Sequence, residues 1–151
     1  MKKSRICSLF NVQYPIIQGG MAWCSEAELA AAVSEAGGLG LIGVSTMSAE
    51  QAREQIKKTR TLTAKPVGVN LPLLKPDFRE IVEVILKEEI KIVFTSAGNP
   101  QVVVPQLKKA GVIVVHVISN VRQARKAVDA GCDAVVAEGF EAGGHDGPDE
   151  L

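Results

Sequence analysis

The sequence predicts an α/β domain built on a parallel sheet, and three observations predict it. Short apolar runs alternate with segments of helical period from one end of the chain to the other. Helix-starting and helix-stopping residues punctuate those segments. The connections are short, so each strand, its helix and the next strand form a repeated βα unit, which forces the strands to run parallel. The strand runs are apolar at consecutive positions rather than alternating ones, as expected when helices cover one side of a sheet and a packed interior covers the other.

The elements follow in order. A first strand is expected at 16–18, between Pro15 and the pair Gly19 and Gly20. Ser25, with Glu28 three residues on, has capping-box spacing for the first long helix, which Gly37 should end because glycine adopts the left-handed conformation at little cost. Residues 39–42 form the second strand. Ser48 with Gln51 repeats the capping-box spacing, and a strand at 67–70 follows. Asp77, after Pro76 and with Glu80 three residues on, starts a helix that leads to the strand at 92–95. Asn99 and Pro100 mark another helix start, but Pro105 would remove an intrahelical bond, so this helix is expected to begin late and to stop at Gly111. A strand at 112–117 precedes a helix capped by Ser119, with Val121, Ala124 and Val128 on one face and Gly131 at its end. Residues 134–137 form the sixth strand.

Parallel βα units leave two architectures, an open doubly wound sheet or a (β/α)8 barrel, and the strand pattern does not choose between them. Both gather ligands at the C-terminal ends of the strands. The loops opening at Gly19, Gly43, Asn70, Thr95, His116 and Glu138 are therefore the candidates. Gly38 to Gly43, "GLGLIG", matches the dinucleotide-binding pattern, yet that pattern needs a strand followed by glycines that open a helix. Here the helix comes first and the apolar residues between the glycines are the strand, so these glycines are read as ending a helix and allowing close packing.

Composition excludes several classes. Seventeen acids balance seventeen bases, so no long-range field recruits nucleic acid or an anionic membrane, and aromatics at 4% are too sparse for base stacking. The clusters Lys57, Lys58, Arg60 and Arg122, Arg125, Lys126 fall at helical spacing and read as solvated helix faces. Cys7, Cys24 and Cys132 are odd in number and lack paired spacing, which predicts reduced thiols in a cytoplasmic protein and no metal site. The start "MKKSRICSLF" is a poor signal peptide, and "AGVIVVHVI" is far too short to span a membrane.

Four strand ends carry chemistry. "IIQGGMAW" joins two glycines to Met21 and the single tryptophan, so backbone can lie against a flat ligand with a soft apolar side chain beside it. Asn70 ends "PVGVN" with a donor and an acceptor, and "FTSAGNP" offers small residues and a helix cap. The loop "EGFEAGGHDG" is the richest: Gly143 and Gly144 clear space before His145, whose imidazole titrates near neutrality. His116 is assigned to the core or a loop.

Taken in order and spacing, "YPIIQGGMAW", "AGGLGLIG", "KPVGVN", "TSAGNP" and "AVVAEGFEAGGHDG" resemble the N-terminal part of the family of nitronate monooxygenases (2-nitropropane dioxygenases) and FMN-dependent enoyl-acyl-carrier-protein reductases. The resemblance spans nearly the whole chain. It implies a (β/α)8 TIM barrel with FMN at the C-terminal face, and it implies roles for particular residues. Gly20 and Met21 would line the flavin, Asn70 would hydrogen-bond it, Glu138 and Gly143 would contact it, and His145 would be the catalytic histidine. Such a reductase takes electrons from NAD(P)H and delivers hydride from the flavin to an enoyl thioester, while an acid supplies a proton or stabilises the enolate. The monooxygenase oxidises alkyl nitronates with oxygen. Gly19, Gly20 and Glu138 stand where the monooxygenase branch commonly has alanine, proline and glutamine, so the reductase is favoured.

The pattern departs from the family in extent. Residues 1–151 read as a single truncated domain of about six βα units, against the eight and roughly 250 residues of a full barrel. The loops after strands seven and eight, which usually hold the phosphate, are missing from it. Six strands would leave open edges prone to pairing with another chain, so a homo-oligomer, a longer parent protein or an inactive fragment needing a partner are all expectations.

Overall fold

The structure, a computed structural model, describes residues 4–139 and 141–143. Five parallel strands lie side by side in chain order: β1 (Gly40–Gly43), β2 (Val67–Pro72), β3 (Ile92–Ser96), β4 (Ile113–Ile118) and β5 (Ala134–Ala137). The order never reverses, whereas a doubly wound sheet must reverse at its switch point. Right-handed crossovers that all step the same way place successive helices on one face of the sheet. Accordingly α2 (Ala27–Glu35) packs on α3 (Ala49–Leu62), and α3 on α4 (Phe78–Lys87). The fold is an incomplete TIM barrel, an arc of five strands with its outer helices.

Alternation along the strands separates two cores. Ile42, Val69, Leu71, Val93 and Val114 face outward and meet Ala30, Ile56, Ile81, Ile85 and Leu107 from the helical layer. Leu41, Ile92, Phe94 and Val115 face inward. A short helix, α1 (Arg5–Phe10), supplies the lid of this inner core, with Phe10 and Val12 buried against it. The Phe10 and Phe94 rings lie 5.8 Å apart at 37°, within the range where tilted aromatic pairs attract. Burial on both faces is why the strands read as unbroken apolar runs.

The first expected strand is reduced to one bridge, Ile17 to Leu39. Backbone bonds join Leu39 N–H to Ile16 O and Gln18 N–H to Leu39 O, both at 2.9 Å. Beyond them the Gln18 side chain takes over, accepting from Leu41 N–H and donating to Leu41 O, each at 3.2 Å. An amide thus continues the ladder where Gly19 and Gly20 leave it, so the arc has five strands and a bridge rather than six strands.

Helix starts show which caps the local pattern decides. Ser48 and Gln51 form the full reciprocal capping box. Ser25 does not cap α2: Glu26 occupies that position without a side-chain bond, and the Ala27 N–H is taken by Gln55 Oε1 of α3 at 2.9 Å. Asp77 holds the N-cap position of α4, but its carboxylate pairs with Lys75 instead of the helix. Asn120, not Ser119, caps α6 (Val121–Ala130), accepting from Gln123 N–H at 2.9 Å. Helix α6 packs through Ala127 and Ala130, leaving Val121 and Val128 exposed. Pro105 delays its helix as expected: a 3-10 turn at Pro100–Val102 precedes α5 (Val104–Lys109). Gly37, Gly111 and Gly131 all have positive φ.

Candidate active site

The loop after the first bridge is folded on itself by the hydroxyl of the buried Ser25 and tied to the end of β1 by the backbone carbonyl of the same residue. Ser25 Oγ accepts from Met21 N–H at 2.6 Å and donates to Met21 O at 2.9 Å, and Gly43 N–H donates to Ser25 O at 2.8 Å. Gly43 must be glycine here, because a Cβ would stand 2.5 Å from Ser25 Oγ and 2.9 Å from both Met21 N and Met21 O. Ser25 is therefore not the helix cap that its sequence spacing predicts. Its S-x-x-E spacing concealed this role, and only the three-dimensional return of the loop reveals it.

This clamp brings Gly20 against Asn70. A Cβ on Gly20 would lie 2.7 Å from Asn70 Nδ2 and 2.8 Å from its Cγ, so the backbone of one loop rests directly on the amide of another strand. Asn70 is register partner to Gly43 on one side and Phe94 on the other. Its backbone carbonyl accepts from Val44 N–H at 3.2 Å, while its half-buried side-chain amide has no hydrogen-bond partner among the described residues. Met21 and Trp23 follow in the same loop, 44% and 77% exposed, with Trp23 in the left-handed region at φ 61°.

Glu138 and Gly143 belong to the loop after β5. Glu138 N–H donates to Ile118 O at 2.9 Å, continuing the β4–β5 ladder by one residue. Three strand steps separate this loop from Asn70, about 14 Å at ordinary strand spacing. Among the described residues no hydrogen bond joins it to the Gly20–Asn70 pair. Both groups end at the same C-terminal rim, above the inward-facing Leu41 and Ile92. His145 lies outside the described residues.

His116 is a core residue, as expected. It is 3% exposed, and its Nδ1 lies 2.8 Å from Thr95 Oγ1. Burial pushes its pKa below the usual imidazole value, against smaller opposing contributions from the backbone of Thr95 and Gly98. The thiol of Cys132 is pushed up to about 11, chiefly by burial and next by the neighbouring Asp133, so it is no ready nucleophile. Among the described residues no group of acids, histidines and cysteines could hold a metal ion, and no helix is long and apolar enough to cross a membrane. A cavity of about 450 Å³ lies at the opposite end, between α1, the 63–67 segment and the N-terminal residues of β3 and β4. In barrels that end serves stability rather than chemistry.

Asn70, Gly20 and Met21 together offer an unpaired amide, a backbone without side-chain bulk and an apolar contact, all over an apolar floor. Those are the features that hold the edge and face of a planar heteroaromatic ring.

The family model for nitronate monooxygenase matches residues 3–151. Among curated proteins, the (3aS,4S,5R,7aS)-5-hydroxy-7a-methyl-1-oxo-octahydro-1H-indene-4-carboxyl-CoA dehydrogenase of Rhodococcus jostii is 35% identical over 97% of this chain and 41% of its own length. A nitronate monooxygenase of Paraburkholderia phytofirmans is 35% identical over 96% of this chain and 50% of its own. Among solved structures, FabK from Thermotoga maritima superposes with TM-score 0.96 at 42% identity, covering 99% of this chain and 48% of that one. Nitroalkane oxidase from Streptomyces ansochromogenes superposes with TM-score 0.86 at 31% identity, covering 95% and 51%. The chain spans half or less of the length of these curated relatives. It belongs to the nitronate monooxygenase family.

Proposed function

We propose that this member of the nitronate monooxygenase family is the flavin-ring half of an FMN-dependent reductase of enoyl thioesters that uses NAD(P)H. The observation that carries the reading is the likeness to FabK, an enoyl-acyl-carrier-protein reductase, at TM-score 0.96 and 42% identity. The dehydrogenase relative, named for a carboxyl-CoA thioester, points to the same substrate class.

FMN, when bound, supplies the two-electron chemistry. The chain's own residues hold and orient it: Gly20 and Met21 against its face, Asn70 through its free amide, Glu138 and Gly143 from the loop after β5. Gly20 fits this role because the Asn70 side chain occupies the space that a Cβ would need. His145 holds the proton for the α-carbon of the thioester, or donates a hydrogen bond to the enolate oxygen as charge develops there.

The family model and the Paraburkholderia relative favour a second reading, oxidation of alkyl nitronates by oxygen. One set of measurements on the full-length gene product separates the two. The reductase reading expects an oxidised-flavin absorbance band and NAD(P)H consumption dependent on a crotonyl thioester. His145→Ala should then lower turnover about 10²- to 10⁴-fold with flavin content unchanged. Oxygen uptake on a nitronate, without thioester-dependent NAD(P)H consumption, overturns the reductase in favour of the monooxygenase. Absence of bound flavin overturns both.

A further inference from the structure

A second cavity, of about 320 Å³, opens at the same rim between the loop 97–100 after β3 and the first turns of α6. Its lining is polar and carries no acid: Asn99, His116, Arg122, Gln123 and Lys126 are its side chains with hydrogen-bonding capacity. Arg122 and Lys126 sit four residues apart, so they project from one face of α6 and repel one another. Both are exposed, and neither has an acidic partner among the described residues. Two like charges one turn apart at a cavity without an acid make a place where a doubly charged anion would relieve their repulsion.

The inner wall is polar as well. His116 is buried yet lines the cavity, its ring held by Thr95 Oγ1 at Nδ1 and by the backbone of Gly98. The loop that forms the opposite wall is fixed in shape by Ala97, whose φ of 49° is unusual for a residue with a side chain, and by Asn99, which caps Gln101 N–H at 3.2 Å. The N-terminal end of α6 adds its partial positive charge.

We propose that this cavity binds a phosphate group, with Arg122 and Lys126 as its charged partners and His116 at its base. The inference rests on the thioester reading for the ligand's source: the arm of a coenzyme A or carrier-bound thioester is a pantetheine that ends in a phosphate. The cavity lies on the rim where the thioester would be reduced. Free phosphate shares the same chemistry.

Calorimetric titration of the full-length protein with 4′-phosphopantetheine and with pantetheine, which lacks only the phosphate, tests it without turnover. The phosphorylated arm should bind about tenfold tighter or more, since charge-assisted bonds to both cations are at stake. Arg122→Gln with Lys126→Gln should erase that difference while leaving flavin content and melting temperature in place. If inorganic phosphate alone binds as tightly as 4′-phosphopantetheine, the site stands with free phosphate as its ligand. Equal binding of the two pantetheines in the wild type, no binding of either, or a preference that survives the double substitution overturns the site. Because the titration reads no catalysis, a reductase that passes its assay yet shows no phosphate preference refutes this inference alone. A phosphate preference in a protein without flavin leaves the site and removes the reductase.

Discussion

Two adjacent glycines give a controlled test of the candidate site, because they differ in surroundings and not in chemistry. Around Gly19 no atom lies within 4 Å of where a Cβ would be, and its φ is not in the left-handed region. Around Gly20 the same atom would fall inside the contact distance of Asn70 Cβ and 2.7 Å from Asn70 Nδ2. Carbon atoms pack best at about 3.5–4.0 Å, so roughly 1 Å of separation must be found. A new rotamer of Asn70 can move Nδ2 and Cγ aside. It cannot move Cβ, which is set by a backbone paired to β1 on one side and β3 on the other. The loop must therefore lift, against the Ser25 clamp that ties Met21 down.

Forcing that shift should cost about 1–3 kcal/mol, the usual range for overpacking, and each kcal/mol lowers Tm by about 2–4 °C in a domain of this size. Gly20→Ala should also loosen FMN by about fivefold or more, because the displaced Asn70 amide loses one hydrogen bond of about 1 kcal/mol. Gly19→Ala should leave both unchanged, or raise stability by about 0.4–1 kcal/mol through the unfolded chain. Urea unfolding and flavin fluorescence titration of the two variants side by side supply the measurement. Equal midpoints and equal flavin affinities for the pair would refute the claim that Gly20 and Asn70 form one surface.

Ser25→Ala removes the hydroxyl that both accepts from and donates to Met21, leaving the Met21 N–H without its partner, so a loss of about 1–3 kcal/mol is expected. FMN affinity should fall with it; a fall in stability with wild-type flavin binding would show that the clamp does not shape the site. For His116, the folded state resists protonation, so as pH drops below the unfolded value of 6.5 the unfolded chain takes up a proton that the native one refuses. Stability is therefore lost as pH falls through 6.5. Urea midpoints measured at pH 7.5 and 5.5 in a phosphate-free buffer should show a smaller decline for His116→Asn than for the wild type, and parallel declines would show that the ring titrates alike in the folded and unfolded chain.

The sequence carried most of the barrel because each βα unit signals itself locally. Consecutive apolar residues such as Val93 and Phe94 face opposite cores, and a run buried on both sides has few alternatives to a parallel strand. Gly37, Gly111 and Gly131 marked helix ends for an equally local reason, the cost of a positive φ to any other residue. The strand pattern by itself left barrel and open sheet undecided, since no single unit contains the order of strands in space; the family resemblance implied the barrel, and the order of the five strands agrees with it. The site divides along the same line. Asn70 and the Gly19–Gly20 pair were legible as strand-end residues, but their contact was not, since it joins segments fifty residues apart through the return of a loop.

Ser25 shows why local pattern misleads where function begins. A serine three residues before a glutamate favours a capping box when nothing else competes for its hydroxyl. Here two backbone groups of Met21 compete for it, and Gln55 from the neighbouring helix satisfies the α2 terminus in its place. Both Ser48 and Ser25 carry the motif, yet only Ser48 sits on a solvent-facing helix start, where the reciprocal box forms. The difference is burial: Ser25 is fully enclosed beneath the rim, where an unpaired Met21 amide would be costly. Tertiary demand therefore overrides the local cap at the place where the barrel must hold a glycine-rich loop still against Asn70.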